Sequence, residues 1–173
     1  MIVLQPLASI DPDAVEALLD RAFGTDRHQR TAYKVRGSAR PISPLSFAAV
    51  DDGVLVGSIQ CWPVMLAGAG DGGGTMPLVM VGPVAVAPER QRDGIGRRLM
   101  ERALAAADAS DDIGAGLMLI GDPEYYGRVF GFTAERTARW RVPGPVERRR
   151  LLARGAHVPD VSGELGPALA LPA

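Results

Sequence analysis

The sequence predicts a mixed α/β fold, a sheet with helices packed on it. Three observations carry this expectation: strand-like and helix-like periods alternate along the chain, a short all-apolar segment suits a strand buried on both faces, and glycine- or proline-marked turns separate the segments. Met1 to Leu7 is an apolar run that suits a strand, and Asp11-Pro12 then offers an N-cap and a proline for the first helical turn. Val15, Leu18, Leu19 and Phe23 follow at helical spacing up to Gly24. A second, more exposed helix is expected over His28 to Arg36, before the Pro41 to Pro44 loop. Leu45 to Val50 and Val54 to Trp62 flank Asp51-Asp52-Gly53 and predict a hairpin. Ala67 to Thr75 holds five glycines and predicts a surface loop. Leu78 to Val86 is a strand interrupted by Gly82-Pro83, because proline cannot donate to a ladder. From Gly94 the period becomes helical, with Ile95, Leu99 and Ala103 on one face. Leu117 to Ile120 is the all-apolar strand, Asp122-Pro123 restarts a short helix that Gly131-Phe132 ends, and Ala138 to Val142 is the last expected strand.

Length and composition narrow the function classes. At 173 residues one compact core is expected, and 47% hydrophobic against 23% charged residues is the balance of a globular protein. Nineteen basic residues against twenty acidic ones leave no global positive field, which argues against general nucleic-acid binding. Cys61 is the single cysteine, so no intramolecular disulfide and no Cys-based zinc site can form, and a buried structural thiol in a cytoplasmic setting is expected. No apolar stretch approaches the ~20 residues of a membrane span.

The most informative stretch is Val84 to Leu104, where a strand ends at Pro88, a loop follows, and Gly94 and Gly96 open a helix. Glycines there let a ligand approach the backbone, and the amides of a first helical turn point outward with the positive end of the dipole. Such an arrangement suits a diphosphate. No Gly-Lys-Ser/Thr follows, which sets aside nucleoside triphosphatases, and no third glycine with a distant acid follows, which sets aside dinucleotide folds.

Gln91-Arg92-Asp93-Gly94-Ile95-Gly96 resembles the Gln/Arg-x-x-Gly-x-Gly/Ala signature of the GNAT superfamily of N-acetyltransferases. VGPVAVAPE upstream and LIGDPEYYGRVFGF downstream are similar to its bacterial YhbS-like branch. The resemblance covers residues 1–142 in element order and is most specific over 78–132. It implies a GNAT fold with a mostly antiparallel sheet, splayed central strands and helices on both faces. It further implies an acetyltransferase domain over residues 1–143, with residues 144–173 as a Pro/Gly/Arg-rich extension packed on or beside it.

The reaction implied is metal-free transfer from acetyl-CoA to a primary amine on a small molecule or peptide. Val84 and Val86 match the strand positions that pair with the pantetheine arm, and Gly82-Pro83 gives a physical reason for a gap beside it. Gln91, Arg92, Asp93, Gly94, Ile95 and Gly96 match the pyrophosphate loop, while Arg97 and Arg98 either meet the 3′-phosphate or are solvated. A tyrosine on the short helix protonates the leaving thiolate. Tyr126 is favoured and Tyr125 is the alternative, because the branch reads Tyr-Tyr-Gly-Arg-Phe-Gly-Phe and this chain has an extra Val129. The general base is not visible, with Glu124, His28, Asp26 or a water relay as candidates. Seven arginines lie between Arg136 and Arg154, read either as a solvated helix after Pro145 or as a basic rim. Homodimerisation is left open. A non-catalytic acyl-CoA-binding or partner-docking module is the alternative function.

Overall fold

The computed structural model describes residues 1–70, 72–110 and 116–168. Its strands form a mixed, mostly antiparallel arrangement with helices, as expected from the sequence. Contacts divide the chain into two compact units that interleave in sequence: Met1–His28, Pro41–Cys61 and Gly82–Ser110 in the first, and Gln29–Arg40, Trp62–Val81 and Asp111–Ala173 in the second.

In the first unit, β1 (Ile2–Pro6) pairs antiparallel with β2 (Phe47–Asp51), from Ile2 opposite Asp51 to Pro6 opposite Phe47. Helix α1 (Pro12–Phe23) starts where Asp11 accepts a hydrogen bond from the Asp13 amide at 3.0 Å, with Pro12 in its first turn. Its apolar stripe, Val15, Leu18 and Leu19, is buried with Leu7, Ala48, Ala85 and Ala87. The buried guanidinium of Arg27 is held by Glu16 and Asp20 of the same helix. The hairpin from β2 to β3 (Val54–Ala69) turns through Asp52 and Gly53, both at positive φ, as the Asp-Gly signal implies. Helix α3 (Ile95–Asp108) buries Ile95, Leu99, Met100, Ala103, Leu104 and Ala107. It comes so close to β3 that a Cβ at Gly57 would lie 2.7 Å from Ile95 Cγ2 and 3.0 Å from Leu99 Cδ1, so only glycine fits there. The last residues of β4 (Gly74–Val86) belong to this unit, and the Ala87 amide bonds Val56 O at 2.9 Å.

In the second unit, β4 pairs parallel with β5 (Leu117–Ile120) only at Val79 and Met80, immediately before Gly82-Pro83. β7 (Leu151–Arg154) runs antiparallel along all of β5. β6 (Trp140–Arg141) lies parallel to β8 (Gly163–Pro167), which pairs antiparallel with the Val64–Ala67 stretch of β3. Trp62, Val64, Leu66, Leu78, Met80, Met118, Trp140, Leu151 and Leu165 form the core. Helix α2 (Thr31–Arg36) adds Val35 to it, and its buried Arg36 guanidinium lies 3.8 Å from the Tyr33 ring centre and 3.7 Å from that of Trp62.

Four local expectations are corrected. The helix expected from His28 is a 3-10 turn followed by the six residues of α2. Glycine-rich Ala67 to Thr75 is largely strand, since β3 runs to Ala69 and β4 begins at Gly74. Residues after Pro145 form no helix but a 3-10 turn, Arg148–Arg150, leading into β7, and Leu151, Leu152 and Ala153 are buried because β5 needs a partner on that side. Trp140–Arg141 is therefore neither a long strand nor the last.

Candidate active site

The loop between β4 and α3 lies wholly in the first unit. A 3-10 turn over Pro88–Arg90 leads through exposed Gln91, Arg92, Asp93 and Gly94 into α3. Gly94 sits in the left-handed region, at φ 74°, with no side-chain cap on the helix behind it. Nothing lies within 4 Å of where its Cβ would be, so the space over the loop is open. The first intrahelical bond runs from the Arg98 amide to Gly94 O, at 3.2 Å. The amides of Ile95, Gly96 and Arg97 precede it and have no helical acceptor, which leaves three N–H groups at the positive end of the dipole. A Cβ at Gly96 would stand 3.6 Å from Val86 and 3.7 Å from Val84. The two valines assigned to the pantetheine arm thus share a face of β4 with the start of α3. Alternate Ala85 and Ala87 pack on α1 instead.

Salt links brace the loop. Glu89 is bound by both oxygens to Arg21 of α1, at 2.8 and 2.6 Å. Arg90 donates from Nε to Asp93, at 2.5 Å, and from Nη1 to Asp51 at the end of β2, at 3.0 Å. Of these links only the Arg90 to Asp93 spacing is visible in sequence; Arg21 and Asp51 arrive by tertiary packing. Arg97 is paired with Glu101 on the exposed face of α3, at 2.9 Å, and Arg98 reaches Ile2 O at 3.4 Å.

The candidate proton donors lie in the second unit, on α4 (Pro123–Phe130). Asp122 caps this helix by accepting from the Glu124 amide at 3.1 Å, and Gly131, at φ 79°, ends it. The Phe132 amide bonds Tyr126 O at 3.2 Å, fixing the backbone that carries the ring. Tyr126 leans over Gly121, where a Cβ would fall 2.5 Å from its Cε2. Burial raises its phenol pKa above the ordinary 10.0, with Tyr125 adding to the rise and Arg150 opposing it. Tyr125 is 39% exposed and meets Tyr126 and Phe130 edge-on, with ring centres 5.0 and 5.6 Å away. Among the candidate bases, Glu124 is ion-paired with Arg149 on the surface. Of the arginines from Arg136 to Arg154, several hold the chain together: Arg136 donates to Gly155 O and Val158 O, Arg139 pairs with Asp160 and Arg141 with Glu164.

Among the described residues no group of three or more His, Cys, Asp and Glu side chains could hold a metal ion, and no helix is long and apolar enough to cross a membrane. A search of curated proteins found no match. Among solved structures, the chain is similar to the GNAT family N-acetyltransferase YhbS from Escherichia coli in complex with CoA, at 22% identity and TM-score 0.68, over 97% of this chain and 89% of that one. It is also similar to a GNAT family acetyltransferase from Brucella melitensis in complex with acetyl-CoA, at 26% identity and TM-score 0.53, over 90% and 97% of the two chains. The ribosomal-protein-S18-alanine N-acetyltransferase from Escherichia coli matches at 20% identity and TM-score 0.54, over 88% and 90%. The family model for the acetyltransferase (GNAT) domain matches residues 4–134, taking in β1 through α4 with the loop and the tyrosines. On that match, which spans most of its length, the chain belongs to the GNAT family of acetyltransferases.

Proposed function

We propose that this acetyltransferase moves the acetyl group of acetyl-CoA to a primary amine by direct attack. The observation that carries the proposal is the uncapped start of α3 behind Gly94, where three first-turn amides have no helical acceptor and the space beside Gly94 is open. Charge-assisted bonds from such amides are worth roughly 1.5 to 3 kcal/mol each before desolvation and ordering losses, which suits a diphosphate. The similar structures from Escherichia coli and Brucella melitensis, which hold CoA and acetyl-CoA, support the same ligand. Val84 and Val86 offer backbone groups to the pantetheine arm, and the ladder between β4 and β5, ending at Met80, leaves the following residues of β4 without that partner. The neutral amine adds to the thioester carbonyl, and an amide near Val86 steadies the oxyanion. As the tetrahedral intermediate collapses, the carbon–sulfur bond breaks, Tyr126 gives its phenolic proton to the departing thiolate, and the proton lost from the amine nitrogen passes through water to restore the phenol. Its raised pKa keeps that proton in place at neutral pH.

A panel of small amines and peptides, incubated with acetyl-CoA and read by thiol release, tests the proposal. Thiol release that depends on both the protein and an amine is expected. Saturable acetyl-CoA binding with no thiol release from any amine in the panel would overturn catalysis in favour of a binding module.

A further inference from the structure

A loop that meets a diphosphate is poorly served by carboxylates, yet this one carries Glu89 and Asp93. Glu89 is turned aside to α1 by Arg21. Asp93 is exposed and stands next to Gly94, within the segment read above as the diphosphate site. Its carboxylate accepts from Arg90, whose guanidinium is divided between Asp93 Oδ2 at 2.5 Å and Asp51 Oδ2 at 3.0 Å. Arg90 is itself only 27% exposed, so the two carboxylates hold its planar fork in place. Asp51 is kept below the usual carboxylate range by the hydrogen bond from the Met1 ammonium and then by that from Arg90. Arg90 is held charged by Asp93 and Asp51 in turn.

We infer that Arg90 is a positioning residue of the diphosphate site, one that acts by cancelling the Asp93 carboxylate so that coenzyme A meets free amides and not an anion. This rests on the reading of the loop as the coenzyme A site. Like charges a few ångströms apart repel, and two phosphates beside an uncompensated carboxylate are such a case. Asp51 holds Arg90 from a separate element, so the guanidinium has a second hold at the loop besides Asp93.

A charge-cancelling role differs from a purely mechanical brace in what removing Asp93 does. Coenzyme A affinity is measured by calorimetry on the wild type, Arg90→Met, Asp93→Asn and the double variant, each first checked by its melting temperature without ligand. Arg90→Met is expected to weaken coenzyme A roughly tenfold, with the loss shrinking at high salt. Asp93→Asn should bind more tightly than wild type, because Arg90 then faces the diphosphate with less counter-charge, and the double variant should return to within about twofold of wild type. A double variant as weak as Arg90→Met, or an Arg90→Met protein that binds like wild type, overturns the inference. Should Arg90→Met fail to fold, Arg90→Lys carries the test: it keeps the charge while giving up the fork, so affinity near wild type supports charge cancellation and a tenfold loss overturns it. A wild-type protein that does not bind coenzyme A at all would instead refute the functional reading, and this inference with it.

Discussion

Tyr126 and Tyr125 are neighbours in sequence and differ in what surrounds them. The extra Val129 blurs the count back from Gly-Phe, and only the packing separates the rings: Tyr126 leans over Gly121 with its carbonyl tied to Phe132, while Tyr125 points partly to solvent. That difference was invisible in sequence because it depends on a glycine in the turn after β5. If Tyr126 is the general acid, Tyr126→Phe keeps the ring and deletes only the proton. Turnover should then fall about 100- to 10,000-fold with acetyl-CoA affinity nearly unchanged, and Tyr125→Phe should cost far less. The reverse order of losses in steady-state assays would exchange the two roles. The sign of the pH dependence follows from the raised pKa. An acid must be protonated to act, so the limb of kcat owed to Tyr126 descends only as pH climbs past 10.0. A limb of kcat falling between pH 7 and 9 that Tyr126→Phe abolishes would contradict the raised pKa, because Tyr126 itself would then be losing its proton in that range.

At the scale of elements, the strand-loop-helix at the front of α3 was the most legible part of the chain, because two glycines, a proline and a 3.6-residue period all agree there. Gly94→Val is expected to damage it in two ways. A β-branched residue at φ 74° strains the backbone by more than the roughly 1 to 2 kcal/mol usual for that region, and its side chain would fill the space in front of the amides. Coenzyme A binding by calorimetry should disappear while circular dichroism still reports a folded protein. Least legible was the stretch after Pro143. β7 has three apolar residues, set between an arginine run and Arg154, and β8 has Leu165 as its one large apolar side chain. Neither run is long enough for a period to register, and both become strands because β5 and β3 offer them open edges. Leu152 is fully buried in β7, so Leu152→Ala should destabilise the protein by about 2 to 5 kcal/mol in denaturant melts. A change below about 0.5 kcal/mol would mean that β7 is dispensable packing.

For the molecule as a whole, ligand and stability are linked, since a native state that binds acetyl-CoA gains what the unfolded chain cannot. At one hundred times the dissociation constant the gain is about 2.7 kcal/mol, and a calorimetric melt should rise accordingly. An unchanged melt at millimolar acetyl-CoA would count against the coenzyme site. The same whole-molecule view bears on how turnover can be followed. The chain has one sulfhydryl, Cys61, buried in β3, and loss of hydration pushes its pKa up to about 12. At pH 8 roughly one such group in ten thousand is ionised, and an aromatic disulfide reagent reacts with the ionised form. Enzyme can therefore be added at high concentration to a colorimetric thiol assay with almost no blank, and slow turnover of a poor acceptor amine becomes measurable. The burial of one side chain in the sheet thus lowers the detection limit for finding the substrate.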